Sequence, residues 1–203
     1  DVEIENFCKS KKIEVIMTNK NHVRGLDRIA EAAKILDPNG SDDDIIVNVQ
    51  GDEPLLGPDI IEDVINPFFN DEKVKGTLLG VPIKEEKDYY NPNNLKLVHD
   101  LKGDVLYTSR SPIPYIKTFS PDMGAYRVGG LFGFRRNFLY WFTDTPESPL
   151  ESAEMCDSNR IYDHGFHQRL APMKYRPLIS VDSPEDVDRV EAVMPDDPLW
   201  GKY

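Results

Sequence analysis

The stretch Val47-Asn48-Val49-Gln50-Gly51-Asp52-Glu53-Pro54 decides how this chain reads. With Ile45 and Ile46 ahead of it, the run is rich in β-branched residues and almost continuously apolar. That is the pattern of a parallel strand covered on both faces. It ends at a glycine and an acidic pair. In open α/β sheets, ligands gather beyond the carboxyl ends of the strands. Gly51 frees the backbone to turn where a ligand must come close. Asp52 then faces the cleft as a hard oxygen donor of the kind that Mg²⁺ takes. An acidic pair alone also fits a solvated turn; the strand in front of it favours the cleft.

Outward from this strand, helical and extended segments alternate. Ile13–Thr18 reads as a short strand, and Asp27–Leu36 as a helix with Ile29, Ala32, Ala33 and Leu36 on one face. Pro38-Asn39-Gly40 breaks it. Pro58–Phe69 returns to helical spacing and Gly76–Ile83 is an apolar strand. This order predicts a parallel sheet with crossover helices. Further on, Leu95–Asp100 and Val105–Arg110 flank a hairpin turn at Leu101-Lys102-Gly103-Asp104. Tyr126–Phe134 is extended, Arg136–Phe142 and Ser148–Asp163 are helical, Lys174–Val181 is strand-like, and Ser183–Met194 is a closing helix. The expectation is one α/β domain over residues 1–203, Rossmann-like and three-layered, with a mostly parallel sheet and a β-rich insert at about 84–145. Such a fold opens with a strand, a phosphate-binding loop and a helix. Here helix-like residues (Val2, Ile4, Phe7, Cys8) follow Asp1 directly, so the chain reads as incomplete at its amino end.

Composition narrows the function. A net charge of −12 disfavours a general nucleic-acid binder, which needs a basic surface to neutralise phosphates. Small anionic substrates stay open if positive charge is concentrated in one cleft. No stretch approaches the ~20 apolar residues of a membrane span. Cys8 and Cys156 lie outside any CxxC pair and read as reduced thiols of a cytoplasmic protein.

A second acidic motif is Val181-Asp182-Ser183-Pro184-Glu185-Asp186. Ser183 suits an N-cap, Pro184 the first helical position, and Asp186 completes a capping-box pattern. Asp182 is not needed for that cap. At the end of a strand it is free to face Asp52 as a second metal carboxylate.

In these motifs the chain resembles the 3-deoxy-manno-octulosonate cytidylyltransferases, the CMP-Kdo synthetases. The similarity runs in order through Asp27-Arg28-Ile29-Ala30-Glu31, the Gln50–Pro54 run, Asn91-Pro92-Asn93, Ser109-Arg110-Ser111-Pro112-Ile113-Pro114, Gly133-Phe134-Arg135, Ser148-Pro149-Leu150-Glu151 and the Asp182 motif. The resemblance implies a Mg²⁺-dependent nucleotidyltransferase of that fold. In it the anomeric hydroxyl of an acidic sugar attacks the α-phosphorus of CTP and pyrophosphate leaves. Asp52 and Asp182 would hold Mg²⁺ and, with Arg28, serve catalysis, and Gln50, Gly51 and Arg28 would place the nucleotide. Gln50 would also touch the sugar, and Arg110 would bind its carboxylate. The family is typically dimeric. Tyr107, Tyr115, Phe119, Tyr126 and Phe132 suit either a homodimer interface or the chain's own core.

The sequence also departs from the family. The family's amino-terminal strand and its loop bearing Arg and Lys have no counterpart here. Val128 stands where the family has a histidine, Phe132 where it has a tyrosine, and Asp157-Ser158 where it has Glu-Gln. Those positions contact the sugar, so the same reaction on a different acceptor, or Kdo held differently, is expected, with Asp157, Asn159 and Arg160 as candidates for the acceptor pocket. Met155, Ile161 and Phe166 are assigned to the core. Another acceptor class, such as a sugar phosphate or phosphonate, and a non-catalytic nucleotide-binding relative remain as alternatives.

Overall fold

The computed structural model of the chain describes residues 1–202. Helix α1 (Val2–Ser10) is capped by the Asp1 carboxylate, which accepts from the Glu3 N–H at 2.7 Å. Helix α2 (Gly25–Leu36) buries Leu26 and Ala30. Strand β1 (Ile45–Val49) leads to helix α3 (Pro58–Asn70), whose Ile60, Val64 and Phe68 recur every four residues and form its buried stripe. Strand β2 (Gly76–Pro82), helix α4 (Glu86–Tyr90) and the hairpin of β3 (Lys96–His99) and β4 (Val105–Ser109) follow. Gly103 takes a positive φ of 85° in that hairpin turn, where a side chain would be strained. Strand β5 (Tyr126–Arg135) runs into helix α5 (Arg136–Asp144). Helices α6 (Pro149–Glu154) and α7 (Ser158–Asp163), strand β6 (Arg169–Pro172) and helix α8 (Pro184–Val193) complete the described chain.

The six strands form one sheet in the order β4-β3-β5-β2-β6, with β1 also paired to β5. β5 organises it. One edge takes β2; the other takes β3 near Tyr126–Arg127 and β1 near Leu131–Arg135. Helices cover both faces, as expected of three layers. On one, α3 packs on Leu79, Val81, Leu131 and Ala171. On the other, α2 and α5 pack on Phe134, with Ile161 of α7 beside them.

The mostly parallel sheet is corrected. Only β2 and β6 pair in parallel; β5 returns antiparallel between β1 and β2. β1 therefore lies against an antiparallel neighbour and is largely half-buried, with Asn48 its one fully buried residue. Residues 84–145 hold β3, β4 and β5, and β5 pairs with β1, β2 and β3 in the one sheet. Residues 13–18 form no strand, because nothing among the described residues pairs with them. The last strand is β6, upstream of the expected 174–181, which runs as an irregular arm. The helix expected over 148–163 is two helices, broken where Met155 turns left-handed at φ 51°. Among the described residues, no helix is long and apolar enough to cross a membrane, and both cysteines are free.

Candidate active site

Two acidic loops meet at the end of β1. The Val181 N–H donates to the Asp52 carbonyl oxygen at 2.8 Å and ties the loop after β1 to the arm before α8. Asp52 and Asp182, far apart in sequence, thus become neighbours, and both are exposed at the mouth of one cleft. Asp182 is held from the helix side. The Asp186 carboxylate accepts from the Ser183 N–H at 3.1 Å and from the Asp182 N–H at 3.3 Å, closing the expected capping box.

The cleft has a volume of about 760 Å³. Beside the two aspartates it is lined by Gln50, Glu53, Ser180 and Arg127. The Ser180 hydroxyl donates to Glu53 Oε1. Burial raises the Glu53 carboxyl above its ordinary pKa; the Ser180 bond and the Arg127 charge oppose that rise, and the charges of Asp52 and Asp182 add to it. Burial lowers the Arg127 guanidinium from its ordinary value, against the pull of Glu53 and Asp88. Gly130 makes this packing feasible: a Cβ there would stand 2.9 Å from Glu53 Cγ and 3.2 Å from Gln50 Oε1. Gly51, by contrast, faces open space and has no such neighbour. Glu53, Arg127 and Ser180 went unmarked in the sequence. The only signal was that Glu53 sits in the acidic pair.

A smaller cavity of about 210 Å³ adjoins the cleft and shares Gln50, Val128 and Phe132 with it. Asp157, Ser158 and Cys156 line its far side. Burial raises the Asp157 carboxyl, and the charge of Glu151 adds to it while Arg24 and Arg160 pull it down. Burial likewise raises the Cys156 thiol, which the Thr108 hydroxyl meets at 3.2 Å. Met155, assigned to the core, is instead 74% exposed and lines this cavity. Ile161 is fully buried as expected, and Phe166 stacks edge-on against Trp141.

The arginines proposed from the sequence lie elsewhere. Arg160 is wholly buried and donates to both Glu151 oxygens and to the carbonyls of Phe142 and Thr145, so it has no face for an acceptor. Every nitrogen of the Arg110 fork already donates to a main-chain carbonyl, those of Glu154, Pro92 and Met155, and the residue lines neither cavity. Arg28 is exposed and closes the loop below it by bonds to Thr18, Asn19 and His22; it too lines neither cavity. Asn159 is fully buried and bridges to Thr108 of β4, which makes it a structural link between helix and sheet. Gln50, Asp52, Asp157 and Asp182 are the expected site residues that line the cavities. Among the described residues, no three His, Cys, Asp or Glu side chains form a complete metal cage. Asp52 and Asp182 alone would suit a cation that keeps waters and substrate phosphates as its other ligands, as Mg²⁺ does.

Over residues 1–173 the chain matches the cytidylyltransferase family. It is 38% identical over 187 residues to the 3-deoxy-manno-octulosonate cytidylyltransferase of Syntrophotalea carbinolica, an alignment covering 88% of this chain and 72% of that relative. With the enzyme of the same name from Acaryochloris marina it shares 34% over 178 residues, covering 88% of this chain and 70% of the other. The chain belongs to the 3-deoxy-manno-octulosonate cytidylyltransferase family. A solved CMP:2-keto-3-deoxy-manno-octonic acid synthetase complexed with CTP superposes at a TM-score of 0.84, with 28% identity, over 97% of this chain and 78% of that one. A solved structure from Bacillus anthracis assigned as a glucose-1-phosphate thymidylyltransferase shares the fold alone, at a TM-score of 0.60 and 14% identity, over 95% of this chain and 71% of that one. Val128, Phe132, Asp157 and Ser158 all line the smaller cavity, Val128 and Phe132 the cleft as well, while Asp52 and Asp182 line the cleft alone.

Proposed function

We propose that this protein transfers CMP from CTP to a 3-deoxy-ulosonic sugar acid, Kdo or a close relative, and releases pyrophosphate. The observation that carries this reading is the meeting of Asp52 and Asp182 at one cleft mouth through the Val181–Asp52 bond, in a chain of this family. The anomeric oxygen forms a bond to the α-phosphorus, the bond from that phosphorus to the bridging oxygen of pyrophosphate breaks, and the hydroxyl proton leaves to solvent or a nearby base. Asp52 and Asp182 would hold Mg²⁺, which supplies charge neutralisation at the phosphates and acidifies the attacking hydroxyl. Gln50, between cleft and cavity, orients nucleotide and sugar together. The departures around the smaller cavity support an acceptor whose far end differs from Kdo or is held differently. The protein would work in the cytoplasm as a homodimer. Tyr107, Phe119, Tyr126 and Phe132 pack within the chain, whereas Tyr115 is 89% exposed and free for a partner copy.

Product analysis tests the reaction. CTP and a panel of 3-deoxy sugar acids should yield one CMP-sugar, lost with a chelator and restored by Mg²⁺. Transfer only to a sugar phosphate or phosphonate would move the proposal to that acceptor class. For assembly, sedimentation should give a dimer that Tyr115→Ala weakens; a wild-type monomer at tens of micromolar would contradict it.

A further inference from the structure

We infer that Arg127 is the receptor for the carboxylate of the acceptor, an inference that rests on the proposed transfer to a sugar acid. Arg127 lies on β5 opposite Val81 and Lys96 and lines the cleft. The other cations lining the cleft are already paired. Lys87 meets Glu85 at 2.7 Å, Arg176 meets Asp59 at 2.9 Å, and Arg189 meets Asp186 at 2.7 Å. Among the described residues, Arg127 has no such ion pair; its side chain's one hydrogen bond is a long one, 3.4 Å, to the Val128 carbonyl. Burial disfavours its charge, and Glu53 and Asp88 act on it only through space. A half-buried guanidinium whose side chain makes a single hydrogen bond within the protein keeps its fork open for an incoming anion.

The surroundings select the kind of anion. Glu53 and Asp88 already act on this guanidinium, and Mg²⁺ held at Asp52 and Asp182 would take the phosphates, which leaves Arg127 for a smaller anion. A single planar carboxylate matches one arginine fork in two parallel bonds. The direction is right as well. Gln50 lines the cleft together with Arg127 and also lines the smaller cavity. An acid anchored on Arg127 can therefore extend past Gln50 toward Asp157 and Ser158. This supplies the carboxylate site that Arg110, bound to main-chain carbonyls, does not.

Calorimetric titration of the chain with 3-deoxy-manno-octulosonate, with its carboxamide, and with CTP tests the assignment. Arg127→Met should weaken the acid about 10- to 100-fold, leave the carboxamide within about twofold of wild type, and leave CTP unchanged. Arg127→Lys, which keeps the charge without the fork, should fall between, and it carries the test if the methionine variant does not fold. Unchanged affinity for the acid in a folded variant overturns the inference while the proposed reaction stands. A parallel loss of CTP affinity overturns it too, by assigning Arg127 to the phosphates. A wild-type chain that binds CTP but no sugar acid sinks the proposed acceptor class and this inference with it.

Discussion

Among the described residues, Arg160 and Glu151 form the most enclosed charge pair, with side-chain exposures of 0% and 5%. Their bonds of 2.5 and 2.7 Å are joined by two carbonyl contacts and by stacking of the guanidinium on Phe142, 4.4 Å from its centroid. Removing one partner strands a buried charge, so Arg160→Met should cost about 3–5 kcal/mol in urea unfolding; a loss under about 1 kcal/mol would contradict a structural role. Asp157 behaves in the opposite sense. Burial raises its folded pKa above the unfolded value, so its contribution to stability is full at low pH and is lost as pH rises through the folded pKa. Asp157→Asn should therefore raise the urea midpoint at pH 7, with the gain shrinking toward pH 4, and it should weaken acceptor binding. Equal midpoints at pH 7 would contradict it. That Asp52 and Asp182 meet at one cleft was legible from two local motifs, the acidic pair after β1 and the cap of α8, although the strand expected before Asp182 is an irregular arm. The arginines were not. A guanidinium reaches several ångströms from its backbone, and whether it meets a ligand or a carbonyl is decided by distant chain, as the bonds from Arg110 to Glu154 and Pro92 illustrate.

Elements set by local chemistry were read well. Helix α3 follows from Ile60, Val64 and Phe68, and the β3–β4 hairpin from Gly103. The start of α8 follows from Ser183, Pro184 and Asp186. That cap reaches into the site, since Asp186 also takes the Asp182 N–H. Ser183→Ala should cost about 1 kcal/mol of stability and lower kcat more than it raises the KM for CTP, because Asp182 is loosened. Denaturation and steady-state kinetics on one preparation check both; an intact kcat would separate the cap from the site. Elements that depend on a partner were read badly. An apolar run such as Ile13–Thr18 becomes a strand only if another strand pairs with it. β1 looked like a parallel core strand because its sequence cannot announce the antiparallel β5 beside it.

At the scale of the molecule, one sheet explains why the site lies where it does. β1 delivers Gln50 and Asp52, β5 delivers Arg127 and Gly130, and the arm before α8 brings Asp182 across to them. The overall charge of −12 makes the cleft's few cations decisive for anionic substrates. In the proposed reaction, the cleft bearing Asp52 and Asp182 would carry the transfer and the smaller cavity would choose the acceptor. The most direct test is acceptor-dependent pyrophosphate release from CTP and Mg²⁺ by the wild-type protein beside Asp52→Asn. The expected result is release with one 3-deoxy sugar acid, lowered about 10³-fold in the mutant with its melting temperature unchanged. Release that persists in Asp52→Asn, or none with any sugar acid despite CTP binding, would contradict it.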